Sequence, residues 1–181
     1  MNLSIVICTY NRYHQLANCL ASLAAIKGHR DDVEIVIVDN TPEAERQTIA
    51  LLPNARTVYS SPPGLARARN EGIRASTGDI VAFVDDDTLI EPGWIEACLR
   101  CFDRPDIGII GGKVVPELNG AVLPHWFHDS LWFALSCLDW SPAGRYLEPG
   151  EWIVGANMAF RREVFDQFGM FATNLGRVGS G

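Results

Sequence analysis

No stretch of this sequence approaches the roughly 20 consecutive apolar residues that a membrane-spanning helix needs. The amino terminus also lacks a basic segment followed by an apolar run and a cleavage site, which is the pattern of a secretory signal. We therefore expect a cytoplasmic protein. Peripheral association with the inner face of the membrane stays open at this stage.

Basic residues are fewer than acidic ones. The sequence has 15 lysines and arginines against 22 aspartates and glutamates, which gives a formal net charge of −7. A surface of this sign repels a phosphate polymer, so the composition argues against nucleic acid as a partner. A local basic pocket for a small phosphate-bearing ligand remains compatible with this charge.

Cysteines are few, odd in number and scattered. They are Cys8, Cys19, Cys98, Cys101 and Cys137. Such a set does not form the disulfide framework of a small secreted domain, so reduced thiols are predicted. Cys98 and Cys101 form a C-x-x-C pair, but the surrounding pattern is helical and no second pair completes a zinc site. Core packing is therefore favoured over metal or redox chemistry.

The 181 residues, of which 48% are hydrophobic, suffice for one domain with a complete core. Apolar periodicity alternates between strand and helix along the chain. The predicted strands cover residues 3–8, 33–38, 56–59 and 80–84, with a further strand-like segment at 107–115. The predicted helices cover residues around 16–23, about 43–52, 65–75 and 94–102. This alternation predicts an α/β fold with a Rossmann-like, mostly parallel sheet flanked by helices.

Three consecutive aspartates, Asp85, Asp86 and Asp87, follow the apolar strand at residues 80–84. They would emerge at the carboxyl end of that strand, where open α/β sheets place their ligands. Because alternate side chains point the same way, Asp85 and Asp87 can converge on one ion while Asp86 faces elsewhere. Carboxylate oxygens suit Mg²⁺ or Mn²⁺ bridging a diphosphate.

The alternative is an acidic turn in which Asp87 or Thr88 caps the next helix. Like charges this close repel each other without a counter-ion, which favours the metal site.

Four segments stand at predicted strand ends or helix starts, and a fifth follows them further along the chain. They are residues 4–12 (SIVICTYNR), 34–40 (EIVIVDN), 64–72 (GLARARNEG), 83–87 (FVDDD) and 155–165 (GANMAFRREVF). Their order and spacing resemble the family-2 glycosyltransferases over nearly the whole chain. The resemblance implies the GT-A fold, a nucleotide-diphosphate-sugar donor carrying UDP, GDP or dTDP, and a divalent cation, Mg²⁺ or Mn²⁺. It also implies inverting transfer to a saccharide or lipid-linked acceptor in polysaccharide biosynthesis.

The resemblance also assigns expected roles to individual residues. The residues expected to bind the donor are Thr9, Tyr10, Asn11, Asp39, Gly64, Arg69, Asn70 and Asp85. The residues expected to bind the metal are Asp87 and Asp85, and those expected on the acceptor side are Gly155, Asn157 and Arg161. For Asp39 the alternative is a turn in which its carboxylate bonds to nearby backbone. Arg69 and Asn70 stand at a predicted helix start, where amides and cationic side chains favour phosphate or ribose.

Within a single domain spanning residues 1–181, the resemblance implies a nucleotide-sugar-binding half at 1–112 and a less regular acceptor-side half at 113–181. A carboxylate base must deprotonate the acceptor hydroxyl. In the family it follows the segment that resembles residues 169–177 by a few positions, so we expect this base beyond Gly181. The 181 residues are therefore expected to bind donor and metal but to transfer sugar poorly or not at all.

Residues 119–146 are rich in aromatics, and periodicity does not assign them a structure. His125 and His128, with Trp126 and Trp132 nearby, are compatible with an acceptor pocket, and a lid or core patch fits equally well. The histidine spacing matches a metal site only weakly, because no third ligand is visible.

Three other classes of protein are alternatives for this pattern. A non-catalytic module that binds nucleotide sugars is the main alternative, because it would lack the terminal carboxylate. A nucleotidyltransferase is less favoured, because the loop after the first strand reads Thr9-Tyr10-Asn11-Arg12 rather than a glycine-rich basic sequence. A dehydrogenase would need G-x-G-x-x-G at this point, and that motif is absent.

Overall fold

The computed structural model describes residues 1–28, 30–141 and 143–175. Its strands are β1 (Leu3–Thr9), β2 (Val33–Asp39), β3 (Ala55–Tyr59), β4 (Ile80–Asp85), β5 (Ile109–Gly111) and β6 (Asn157–Arg161). Its α-helices are α1 (Tyr13–Lys27), α2 (Leu65–Ala75), α3 (Trp94–Cys101) and α4 (Arg162–Phe168). Among these helices, none combines the length and apolar character needed to cross a bilayer.

The strands form one sheet in the order β3-β2-β1-β4-β6-β5. The first four run parallel, whereas β6 runs antiparallel to both β4 and β5. Parallel neighbours require crossover connections. Helix α1 connects β1 to β2 and α2 connects β3 to β4, whereas β2 and β3 are joined by a segment with only a 3₁₀ turn. The α/β fold with a mostly parallel sheet, predicted from the alternating pattern, is confirmed.

Two apolar cores lie on opposite faces of this sheet. On one face, α1 packs Leu16, Leu20 and Leu23 together with Ile95 and Phe102 from the α3 region. On the other face, the core is formed by α2, α4 and the strand side chains that point toward these helices. Its buried members are Val6, Val36, Val38, Ala68, Ile73, Val81, Phe83, Met158 and Phe165. Strands covered on both faces read as continuous apolar runs, which is why β1, β2 and β4 are evident in the sequence.

The register of the sheet brings three strand ends together. Cys8 of β1 pairs with Asp85 of β4, and Thr9 of β1 pairs with Asp39 of β2. The carboxyl ends of these parallel strands therefore form one edge of the sheet, and polar residues from separate segments meet there.

Most predicted elements are confirmed, with strand ends of β1 to β4 within one residue of expectation. The helix predicted at about 43–52 is wrong, because only a 3₁₀ turn at Glu43–Glu45 forms. Ile49 and Leu52 instead pack separately against the core, so tertiary contacts override the local pattern. The strand-like segment 107–115 is regular only over β5, with an isolated bridge from Val114 to Leu138. The described part of the aromatic-rich segment 119–146 contains a 3₁₀ helix at Asp129–Leu135.

Candidate functional site

A cleft of about 1440 Å³ opens at the edge of the sheet where β1 and β4 end. Its walls come from the loop after β1, the turn after β4, the start of α3 and the chain that follows β5. The lining residues discussed below are Thr9, Tyr10, Asn11, Arg12, Asn40, Gly64, Asp85, Asp86, Asp87, Trp94, Lys113 and Asn157. A large concave surface with convergent polar groups is the usual form of a small-molecule site.

The three consecutive aspartates at the end of β4 have different environments. The side chains of Asp85 and Asp87 are 41% and 48% exposed, whereas that of Asp86 is only 5% exposed. The Asp86 carboxylate turns inward and accepts a 2.7 Å hydrogen bond from the Thr9 hydroxyl. Asp85 and Asp87 are therefore the carboxylates accessible to a ligand, as the alternation of side chains predicts.

Three carboxylates and the guanidinium groups of Arg12 and Arg69 meet in the acidic cluster. Burial raises the pKa of the Asp86 carboxyl to about 6, although the Thr9 hydrogen bond and the Arg12 charge oppose the rise. Burial also raises the pKa of Asp85, and the charge of Arg69 opposes that shift. A cation bound among these groups would favour their ionised forms, so the electrostatics of the cluster suit a cation.

Asp85 and Asp87 fit a Mg²⁺ or Mn²⁺ site of the kind that combines one or two carboxylates with substrate phosphates. Across the parts of the chain that the structure describes, no group of three or more His, Cys, Asp or Glu side chains is arranged to hold a metal. A cation at Asp85 and Asp87 would therefore need further oxygen ligands from a bound substrate or from water.

Asp39 orders the loop that carries Thr9 and Asn11. Its carboxylate is fully buried and accepts hydrogen bonds from the Tyr13 hydroxyl at 2.9 Å and the Thr41 amide at 3.0 Å. The Thr41 hydroxyl in turn accepts a 2.8 Å bond from the Asn11 amide. The backbone turn considered as the alternative for Asp39 is thus present. Its contact with a donor base or ribose stays a prediction.

Asn40 was not assigned a role from the sequence, yet it links two walls of the cleft. Its amide group donates to the Ser60 carbonyl at 2.8 Å and accepts from the Gly64 amide at 2.6 Å. Asn40 therefore fixes the glycine turn that precedes α2. The sequence feature that could have indicated this role is the position of Asn40, a polar residue directly after a buried strand that ends in aspartate.

Arg69 lies between two other segments of the sequence motif set, those that contain Asp85 and Gly155. Its guanidinium lies 3.5 Å from the Asp85 carboxylate and packs beside the rings of Phe83 and Phe171, at 5.9 and 5.7 Å from the centroids. A Cβ added to Gly155 would lie 3.0 Å from Arg69 Cζ and would overlap Nη2. The structure therefore brings Arg69, Asp85 and Gly155 together, and a side chain at residue 155 would displace the guanidinium from this position.

We predict that Gly155→Ala weakens binding of nucleoside diphosphates by about tenfold, because the added methyl group displaces Arg69 and removes its charge from Asp85. Isothermal calorimetry with the nucleotide that binds the unaltered protein measures this change. Gly144→Ala is the control, because its added Cβ meets nothing within 4 Å. Equal affinities in the two variants would show that the position of Arg69 does not matter for the nucleotide.

Asn70 is buried, and its side chain pairs with backbone from the other end of the chain. Its amide nitrogen donates to the Phe171 carbonyl at 2.8 Å, and its oxygen accepts from the Phe171 amide at 3.0 Å. The Phe171 ring then packs against Phe83, Phe160 and Phe165. Asn70 thus fixes the segment that follows α4. Its expected contact with the donor stays a prediction.

Asn70→Ala should lower the free energy of unfolding by about 1–3 kcal/mol, because it leaves the Phe171 backbone groups without partners. Hydrogen exchange at the Phe171 amide, read together with thermal unfolding, tests this expectation. Asn174→Ala changes an exposed asparagine in the same segment and should leave the exchange rate unaltered. Full protection of the Phe171 amide in Asn70→Ala would contradict the pairing.

The two remaining acceptor-side candidates lie far apart. Asn157 lines the cleft, accepts a 3.0 Å hydrogen bond from the Trp94 indole and donates to the Lys113 carbonyl at 3.0 Å. Arg161 ends β6 and pairs with Ile80 at the opposite end of β4. Its guanidinium donates to the carbonyls of residues 102, 104 and 107. The structure therefore brings Asn157 to the cleft and places Arg161 where it supports the chain after α3.

The aromatic-rich residues 119–146 are largely exposed. Trp126 and Phe133 are 65% and 61% exposed, and His128 accepts a 3.2 Å hydrogen bond from the Ser130 amide. Leu135, Ser136 and Cys137 from this segment line the cleft. Leu138, the next residue, forms a bridge with Val114 in the chain that follows β5.

The fold is the GT-A arrangement, and comparisons with known proteins place the chain in a family. The family model described as "Glycosyl transferase family 2" matches residues 4–169, so the chain belongs to glycosyl transferase family 2.

Curated relatives include the glucosyl-dolichyl phosphate glucuronosyltransferase of Haloferax volcanii. It is 31% identical over 190 residues, which cover 99% of this chain and 58% of that protein. The succinoglycan biosynthesis protein ExoM of Rhizobium meliloti is 30% identical over 145 residues, which cover 72% of this chain and 46% of that protein. The chain thus spans about half the length of these relatives.

Solved structures share the fold at low sequence identity. The mannosyltransferase PcManGT from Pyrobaculum calidifontis, in complex with GDP-Man and Mn²⁺, has a TM-score of 0.68 and 22% identity over 97% of this chain and 48% of its own. TarS 1-349 of S. aureus, in complex with UDP-GlcNAc, has a TM-score of 0.56 and 18% identity over 94% of this chain and 48% of its own.

Proposed function

We propose that this chain forms the donor-binding part of a metal-dependent, inverting glycosyltransferase. It would use a nucleotide-diphosphate sugar as donor and a saccharide or lipid-linked acceptor. The observation that carries the proposal is the exposure of Asp85 and Asp87 on a large cleft at the carboxyl ends of β1 and β4, in a chain of this family. Fold neighbours in complex with GDP-Man and UDP-GlcNAc support the choice of donor.

In this proposal the loop at residues 9–11 contacts the base, and Asp39 holds that loop in place. Asp85 and Asp87 hold a Mg²⁺ or Mn²⁺ ion, which when bound stabilises the negative charge that develops on the departing diphosphate. Arg69 keeps positive charge beside Asp85 and so limits repulsion within the acidic cluster. These residues act on the donor alone and leave deprotonation of the acceptor to another group.

The acceptor would enter along the wall formed by residues 113–175, as expected for the second half of a single domain. The exposed apolar side chains of Val115 and Leu135 line this side of the cleft. The name of the Haloferax relative supports a lipid-linked saccharide, and that of the Rhizobium relative supports a polysaccharide. We propose that the carboxylate base follows Gly181. Residues 176–181, which precede it, lie outside the described residues. Cytoplasmic location and membrane association stay predictions.

Isothermal calorimetry with UDP, GDP and dTDP, each with and without Mn²⁺, tests the donor part of this proposal. We expect one nucleotide to bind and its binding to require the metal. Failure of all three to bind would contradict the donor site. A protein extended past Gly181 that binds the nucleotide sugar and yet transfers nothing to saccharide or lipid-linked acceptors would instead favour the non-catalytic module.

A further inference from the structure

Arg12 occupies the acidic cluster that the proposed function gives to a metal. It lies directly before α1, and its guanidinium contacts two of the three consecutive aspartates. Nη1 lies 3.2 Å from Asp86 Oδ1, and Nη2 lies 2.7 Å from Asp87 Oδ2. Arg12 belongs to the segment at residues 4–12 but has no role that the sequence predicts, and the two aspartates lie more than 70 residues further along the chain.

The two contacts of Arg12 differ in how firmly they are held. Asp86 is almost fully buried, and its second oxygen is fixed by the Thr9 hydroxyl. Asp87 is 48% exposed, and water can replace the guanidinium there. Exposed ion pairs are weak and exchange readily, whereas a buried carboxylate needs its partners. The contact with Asp86 is therefore the one that persists, and the contact with Asp87 is the one that can break.

Arg12 and a divalent cation bound to Asp87 would compete for the same carboxylate. Asp87 receives the shorter of the two guanidinium contacts, and a metal ion bound to this carboxylate would repel the adjacent positive charge. The ion pair with Asp86 would keep Arg12 in the cleft. The freed Nη2 group would then be an unpaired donor beside a metal-bound diphosphate, which is an acceptor that guanidinium groups bind strongly.

We propose that Arg12 pairs with Asp87 while no metal is bound and releases this carboxylate when the metal binds. Arg12 then binds the diphosphate of the donor while it stays paired with Asp86. This inference rests on the proposed function. It predicts that metal and nucleoside diphosphate bind cooperatively. The metal alone must displace Arg12 without giving it a new partner, whereas the diphosphate supplies that partner. By linkage, each ligand raises the affinity for the other by the same factor.

The test uses Mn²⁺ alone, and Mn²⁺ in the presence of saturating UDP or GDP, whichever binds the unaltered protein. Direct Mn²⁺ binding is followed by electron paramagnetic resonance of the free ion. For Arg12→Gln we expect Mn²⁺ alone to bind about five- to tenfold more tightly, because the competing charge is gone. We expect the factor by which nucleotide enhances Mn²⁺ binding to fall by about tenfold.

Arg74→Gln is the matched control, because it removes one positive charge from an exposed pair with Glu71 on α2. It should leave both Mn²⁺ affinities unchanged. Arg12→Lys keeps the charge and loses the two-pronged contact, so its values should fall between those of the unaltered protein and Arg12→Gln. It also serves as the second variant if Arg12→Gln does not fold.

Two outcomes would overturn the inference in different ways. If the unaltered protein binds nucleotide with Mn²⁺ but the Arg12 variants match it in both Mn²⁺ affinities, the role of Arg12 is wrong and the proposed function stands. If the unaltered protein binds neither Mn²⁺ nor nucleotide, the proposed function fails and the inference fails with it.

Discussion

Asp87→Ala and Asp87→Asn should each abolish the metal-dependent part of nucleotide binding. Loss of a residue that only hydrogen-bonds to a metal ligand already lowers metal affinity by roughly 10- to 100-fold. We therefore expect loss of a ligand itself to lower it by about 100-fold or more. Asn keeps the shape of the side chain but carries no charge, so a similar result for both variants assigns the effect to the carboxylate. Calorimetry with Mn²⁺ and the nucleotide measures it.

The fold should survive both Asp87 substitutions. The Asp87 side chain is about half exposed and its ion pair with Arg12 is accessible to solvent, so its removal should change the free energy of unfolding by no more than about 1 kcal/mol. Thermal unfolding provides this check.

Asp106→Asn is the control for Asp87, because Asp106 is also an exposed carboxylate paired with an arginine, Arg104 at 2.9 Å. It should leave nucleotide binding unchanged. Nucleotide binding of undiminished strength without metal in the Asp87 variants would contradict the assignment of the site.

Gly72→Ala should destabilise the fold by overpacking the contact between α2 and the sheet. Gly72 lies in α2, where a Cβ would overlap Val6 Cγ1 of β1 and lie 3.3 Å from Val38 Cγ2 of β2. In a free helix the change to alanine would gain up to about 1 kcal/mol. At this position the overlap with two fully buried side chains should outweigh that gain, because overpacking costs about 1–3 kcal/mol and occasionally more.

We therefore expect Gly72→Ala to lower the free energy of unfolding by about 1–2 kcal/mol, and Gly72→Val to lower it further. For a chain of this size each kcal/mol shifts the melting temperature by about 2–4 °C. Since α2 also carries Arg69 and Asn70, nucleotide affinity should fall along with stability. Scanning calorimetry and denaturant titration measure the change.

Gly144→Ala again serves as the control, because its added methyl group enters open space. A Gly72→Ala protein as stable as the unaltered one would show that α2 moves away from the sheet at little cost. The packing of α2 on β1 and β2 would then not require glycine at position 72.

Prediction from sequence worked best where local pattern and burial agree. The strands β1, β2 and β4 are covered on both faces, so their apolar runs are continuous and their ends are marked by polar residues. It failed at residues 43–52, where a helix-like spacing of apolar residues reflects separate contacts of Ile49 and Leu52 with the core. Periodicity cannot distinguish these two causes.

The candidate site shows the same division. Its acidic residues follow from position, because parallel strands present their carboxyl ends at one edge. The contacts of the site residues cannot be predicted from position in the sequence. The contact of Arg12 with Asp87 spans 75 residues, and that of Asn70 with Phe171 spans 101. Arg161 was grouped with Gly155 and Asn157 because they share a motif. The antiparallel direction of β6 carries Arg161 to the other end of the sheet.

The sequence by itself determined the α/β class, the order of most elements, the membership of a glycosyltransferase family and the strand end that carries the acidic residues. These depend on periodicity, burial and motif order, which are properties of short segments. The tertiary structure decided which of Asp85, Asp86 and Asp87 is buried, that Arg12 neutralises two of them, and that Asn70 and Gly155 serve the packing around Arg69. Those properties depend on distances between segments far apart in the chain, and only the assembled sheet sets them.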